Sequence, residues 1–207
     1  MLARPTEGVK HLLIINVIMF VGTYLLMQTV DFKTLFSVYF PENPTFQPWQ
    51  IITHMFMHFD ENHLIFNMLA LWMFGTAVEQ VYGTKKFLFL YFSCGLGAVF
   101  ITLLFSYYSF YSILDILVSS GVSKTDVLDL LNQGKYNTGW LSVINQSDLD
   151  TFISVFSTSM LGASGAIMGV LVAFGYLFPE TKLTLFLGLL LAIIIDPYLH
   201  IPLFNIY

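Results

Sequence analysis

Leu161-Gly162-Ala163-Ser164-Gly165-Ala166-Ile167-Met168-Gly169 opens an apolar run that lasts to Phe178. One hydroxyl therefore sits among small residues at the mouth of a membrane-length helix. Gly162, Ala163 and Gly165 leave room around Ser164 for a second backbone or a ligand to come close. Gly165 and Gly169 are four residues apart and share a helical face, the small-xxx-small pattern that lets a neighbouring helix pack tightly. Taken alone, the stretch is a helix-packing face on which Ser164 hydrogen-bonds its own backbone. Its meaning depends on what the rest of the chain brings to it.

The surrounding sequence is that of a polytopic membrane protein. Of 207 residues, 57% are hydrophobic and 10% charged, against about 25% charged in an ordinary soluble domain. The net charge of −5 leaves no basic footprint for nucleic acid. Cys94 is the single cysteine and lies in an apolar run, so no internal disulfide forms. Nothing resembles a long linker or a second soluble module, so residues 1–207 are expected to form one membrane domain. The first apolar run lacks a small-residue cleavage site and is expected to remain as a helix.

Taken in order, Leu12 to Met27 is a first span. Asp31 to Glu61 is a connection rich in aromatics and broken by Pro41, Pro44 and Pro48, as suits a segment in the membrane interface. A second span runs from about Asn62 to Val78, and a third from Phe87 to Phe105 or a little beyond. Residues 106–158 are too polar to cross and form an insert. Within it, Ser123 before Val127-Leu128-Asp129-Leu130-Leu131 predicts a capped helix ending near Gly134, and Ser147-Asp148-Leu149-Asp150 predicts another running to Phe156. Met160 to Phe178 is a fourth span. Leu183 to Ile195, stopped by Asp196-Pro197, is an apolar run of thirteen residues and short for a crossing.

Basic residues give the orientation. With the N-terminus cytoplasmic, Arg4, Lys10, Lys85, Lys86 and Lys182 lie inside, and Lys33, Lys124 and Lys135 lie outside beside nine acids between Asp31 and Asp150. The mouth of the fourth span, the aromatic connection and the insert then face outward.

His54, His58, His63 and Asn67 fall within fourteen residues, entering the second span from that outer side. His63 and Asn67 are four apart and share a helical face. Polar side chains in a span face the protein interior or a water-filled cavity. His54 and His58 at i, i+4 have the spacing of a zinc pair, but no Glu follows His54 to act as the base of a metalloprotease. No metal site is assigned. His54 and His58 are expected to join helices through hydrogen bonds. His63 and Asn67, at the depth of Ser164, suit the stabilisation of negative charge.

These pieces together resemble the rhomboid intramembrane serine proteases. The resemblance rests on Thr53-His54 through His58 to His63-Leu-Ile-Phe-Asn67, then Gly75-Thr-Ala-Val-Glu79, then Gly162-Ala-Ser-Gly165, and covers about Trp49 to Pro179. It implies an all-α helical bundle with a six-helix core, of which about five apolar segments are present here. It further implies Ser164 as nucleophile, His63 and Asn67 as oxyanion-stabilising groups, Glu79 as a structural cap, and the connection before Trp49 as a membrane-embedded loop. The family often has Trp-Arg in that loop where this chain has Trp49-Gln50.

The implied activity is endopeptidase cleavage of transmembrane protein substrates near the outer membrane face, within the lipid bilayer and without cofactors. The family's general base is a histidine in an Ala-His-x-x-Gly setting on a sixth span. Here the histidine after Ser164 is His200, in Tyr198-Leu-His200-Ile-Pro202, a setting that matches none in the family and suits an interfacial histidine. The alternative is a rhomboid-like protein that binds transmembrane segments without cutting them.

Overall fold

In the computed structural model, which describes residues 4–180, regular structure is helical apart from one isolated antiparallel bridge between Val38 and Met160. The helices are α1 (Glu7–Leu26), α2 (Phe32–Phe36), α3 (Gln50–Thr53), α4 (Glu61–Tyr82), α5 (Thr84–Ser119), α6 (Lys124–Asn132), α7 (Gln146–Ser157) and α8 (Ser164–Leu177). Of these, α1, α4 and α5 are long and apolar enough to cross a membrane, and α8 is a shorter apolar helix. This is an all-α membrane bundle. Lys182, the Leu183 to Ile195 run and His200 lie outside the described residues.

The start of α1 is set by a residue far along the chain. The first amides of a helix have no intrahelical acceptor. Here the buried carboxylate of Glu79, on α4, accepts from Gly8 N and Val9 N at 2.8 Å each, and from the hydroxyls of Thr6 and Thr84. Glu79 is thus a cap, though of α1 instead of its own helix. That long-range cap carries α1 back to Glu7, ahead of the Leu12 start expected from hydropathy. It also places the beginning of α1, the end of α4 and the beginning of α5 at one end of the bundle.

The small-residue face of α8 meets α5. A Cβ on Gly165 would lie 2.6 Å from Ala98 Cβ, and one on Gly169 would lie 2.2 Å from Cys94 Sγ. Gly95, between them on α5, receives the end of Met55, whose Cε would be 2.2 Å from an added Cβ. The core around this contact contains Val9, Leu12, Met55, Leu71, Phe74, Phe87, Tyr91, Ile167 and Val170. Leu71–Gly75 forms a π turn within α4. Ile18, Leu25, Phe100 and Phe105 are exposed on the outside, as lipid-facing residues would be.

Two expectations need correction. First, α5 does not stop near Phe105: it continues to Ser119, 36 residues or about 54 Å in all. Phe110, Ile113, Leu114 and Leu117 recur at helical spacing and bury against α6 and α7. Residues 106–158 therefore have a core of their own, with Trp140, Leu149, Phe152 and Phe156, into which Phe40 of the connection inserts. The Ser123 cap is present (Asp126 N to Ser123 Oγ, 3.4 Å), while the second capped helix starts earlier than expected, with Asn145 accepting from Asp148 N at 2.8 Å. Second, α8 begins at Ser164 and not at Met160. Met160 is held extended by its paired bonds to Val38, at 2.8 and 2.9 Å.

Candidate active site

Ser164 owes its place to the four residues before it. Met160 is fixed by Val38, and Gly162 N donates to the carbonyl of His54 at 2.8 Å. Gly162 takes φ +117, a conformation open to glycine and strained for other residues. The chain then turns into α8, and Ser164 becomes its first residue. Its backbone amide therefore has no partner within the helix and lies at the positive end of the helix dipole.

His63 approaches from α4. Asp60 caps that helix by accepting from His63 N at 2.8 Å. The His63 ring then reaches Gly162: a Cβ there would lie 3.0 Å from His63 Nε2 and 3.8 Å from Ser164 Oγ. Imidazole and hydroxyl thus border the same space over Gly162, brought together from stretches a hundred residues apart. Phe59 N donates to His63 Nδ1 at 3.3 Å. A ring nitrogen that accepts an N–H is unprotonated, so the ring carries its proton on Nε2, which with Cε1 borders Gly162. Asn67 lies one turn further along α4, 3% exposed, and its Nδ2 has no hydrogen-bond partner among the described residues. The arrangement sets an imidazole and the first amide of α8 near a half-buried hydroxyl, with the Asn67 amide one turn away on the His63 helix; donors of this kind can stabilise a developing oxyanion.

The loop that walls this space is held by a residue whose importance was not legible in the sequence. Gln50, fully buried, accepts from Gln47 N at 3.1 Å and Tyr39 N at 3.4 Å. It donates to the carbonyls of Thr34 and Thr45, both at 3.1 Å. Trp49 Nε1 donates to Leu35 O and Thr53 Oγ1 to Phe36 O. A neutral amide with two donors and an acceptor thus ties the loop where the family often has an arginine. The signal available was a lone amide in an aromatic, proline-broken segment, which does not disclose its partners.

His54 and His58 part company. His54 Nδ1 bonds the carbonyl of Gln50 at 3.0 Å, a local helical contact within the loop and not a bond between spans. His58 is 1% exposed and packs edge-on against the His63 ring, centroids 5.1 Å apart; neither of its ring nitrogens makes a hydrogen bond of ordinary geometry among the described residues. Burial holds both rings below the usual imidazole range, and pushes His58 down to about 3. Both are therefore neutral at physiological pH.

Residues 45–125 match the rhomboid domain family, a stretch that holds His63, Asn67 and Glu79 and ends before Ser164. The chain is 42% identical over 60 residues to the rhomboid protease GluP of Bacillus subtilis, covering 29% of this chain and 12% of that protein. It is 30% identical over 125 residues to the rhomboid protease AarA of Providencia stuartii, covering 60% of this chain and 32% of that one. It is 36% identical over 69 residues to the rhomboid protease GlpG of Salmonella paratyphi A, covering 32% and 25%. The matched stretches thus span a third or less of these three relatives' lengths. The His63–Asn67 helix face and the Glu79 cap lie within the stretch that matches the rhomboid domain, and over that part of the chain the likeness is to rhomboid proteases.

Proposed function

We propose that the chain is an intramembrane serine endopeptidase that cleaves transmembrane proteins near the outer membrane face, with its N-terminus cytoplasmic. Ser164 is the nucleophile, and His63 and Asn67 stabilise the oxyanion. The observation that supports this reading is that His63 Nε2 and Ser164 Oγ both border the space a Gly162 Cβ would fill, at 3.0 and 3.8 Å from it. Ser164 Oγ attacks the scissile carbonyl carbon and passes its proton to a general base, for which His200 is the candidate the sequence offers. That base returns the proton to the leaving amine. The carbonyl oxygen, now negative, accepts from His63 Nε2–H, from Asn67 Nδ2 and from the Ser164 amide at the start of α8. Collapse of the tetrahedral intermediate breaks the C–N bond, the amine leaves with a proton, and water then hydrolyses the acyl-serine. No metal or organic cofactor takes part. The insert and the aromatic loop stand on the outer side, where water enters.

The second reading, a protein that binds transmembrane segments without cutting them, is favoured by the tautomer of His63. Its Nε2 already carries a proton and cannot take that of Ser164, and a serine needs a base to be a good nucleophile. His200 lies outside the described residues. Reconstitution of the chain with single-pass proteins separates the two readings. The protease reading expects cleavage near the outer end of the span that is lost in Ser164→Ala. Uncut substrates that nonetheless co-purify equally with wild type and Ser164→Ala would establish the binder.

A further inference from the structure

His58 buries two ring nitrogens, and neither makes a hydrogen bond of ordinary geometry among the described residues, the Phe56 backbone offering only a weak contact. Leaving buried polar atoms unpartnered is unfavourable, and an apolar ring of similar shape would fill the same place at lower cost. Packing alone therefore does not account for a histidine here. What the ring does touch is His63, in an edge-to-face contact at 5.1 Å and 67°. Edge-to-face pairs are ordered by the positive edge of one ring on the negative face of the other. The edge of an imidazole is uneven, with N–H, bare nitrogen and C–H around its rim, whereas a phenyl edge is nearly uniform. A histidine in this contact thus favours particular rotations of its neighbour.

The backbone continues the same grip. Phe59, the next residue, donates its amide to His63 Nδ1 at 3.3 Å. Residues 58 and 59 thus both touch the His63 ring, one through the ring contact and one at Nδ1, while its Cε1–Nε2 side lies over Gly162. We propose that His58 is a positioning residue, whose polar ring fixes the rotation and tautomer of His63 so that its Nε2–H side lies toward Ser164. The inference rests on the oxyanion role proposed for His63.

The test reads the ring and the chemistry separately. Nitrogen NMR on the histidine-labelled full chain in bilayers, with His63 assigned by a His63→Gln variant, reports the tautomer directly. The wild type shows His63 protonated at Nε2 alone. His58→Phe, which keeps a ring and removes the buried nitrogens, retains or raises the melting temperature. It nonetheless mixes the His63 tautomers and lowers labelling of Ser164 by a fluorophosphonate about tenfold, as a small misplacement of a catalytic group does. His58→Gln, which keeps a polar group and loses the ring, gives the same two changes. Wild-type His63 signals and wild-type labelling in either variant would overturn the proposal, as would a wild type protonated at Nδ1. A wild type that never labels, whose His63 signals still change in His58→Phe, would sink the protease reading and leave the positioning role standing.

Discussion

One helix serves two cores. In its first half, α5 sets Cys94, Gly95 and Ala98 against α8 and the Met55 side chain, and turns Phe100, Ile101, Leu104 and Phe105 outward. In its second half, the same helix turns Phe110, Ile113, Leu114 and Leu117 inward, against α6, α7 and Phe40. In lipid there is little hydrophobic reward for bringing helices together, so the bundle relies on close approach of small residues and on polar contacts. In water, burying aromatic area is the main driving force, and the insert stacks Phe110 on Phe152 at 4.5 Å with Trp140 edge-on. The polar contrast follows the same line. Asn16, His58, Asn67, Thr76 and Tyr91, in or beside the bundle, each bury a polar atom that makes no hydrogen bond of ordinary geometry among the described residues, and no residue of the insert does. The bundle thus keeps costly polar groups inside it, and the insert does not.

The largest expected effect falls on the insert. Phe152→Ala should cost about 3–5 kcal/mol, the usual range for a buried aromatic. Hydrogen exchange should show the loss over 106–158 while the amides of α1 and α4 remain protected. Equal deprotection of both regions would show that the cores are one cooperative unit. In the bundle, His63→Ala should lower Ser164 labelling about 10²–10³-fold, as removal of an oxyanion donor does, with the circular dichroism unchanged. A loss of helicity instead would make His63 a structural residue.

A smaller effect tests the close approach itself. Gly169→Ala, which sets a Cβ 2.2 Å from Cys94 Sγ, should destabilise the bundle by about 1–3 kcal/mol as overpacking does. Cys94→Gly should restore part of that loss in the double variant, measured as a coupling energy. Additive effects would mean the helices do not meet there. The smallest is Asn145→Ala, which removes the cap of α7 and should cost about 1 kcal/mol by thermal unfolding.

How far these features were legible depended on the range of the interaction that made them. The Gly165/Gly169 face and the His63/Asn67 face are set by spacing along one helix, and spacing is visible in a sequence. So was the helical recurrence of Phe110, Ile113, Leu114 and Leu117, although the polarity of 106–158 masked it. The start of α1 depends on Glu79, some seventy residues away, and the delayed start of α8 on Val38 pairing with Met160. No local pattern carries either. Gln50 and His58 were obscure for the same reason: their weight lies in what surrounds them in space. His58 carried one cue, a polar residue in a stretch that otherwise buries Met55 and Met57.

The central claim is that Ser164, set beside His63 by Gly162, is a reactive nucleophile. Its most direct test is to treat the full chain in membranes with a fluorophosphonate and map the adduct by mass spectrometry, with Ser164→Ala and Gly162→Ala alongside. The phosphonate is expected on Ser164 of the wild type, with none in Ser164→Ala and strongly reduced labelling in Gly162→Ala, whose methyl group would strain the backbone and displace the His63 ring. An adduct on another serine, or equal labelling of the wild type and Ser164→Ala, would contradict it.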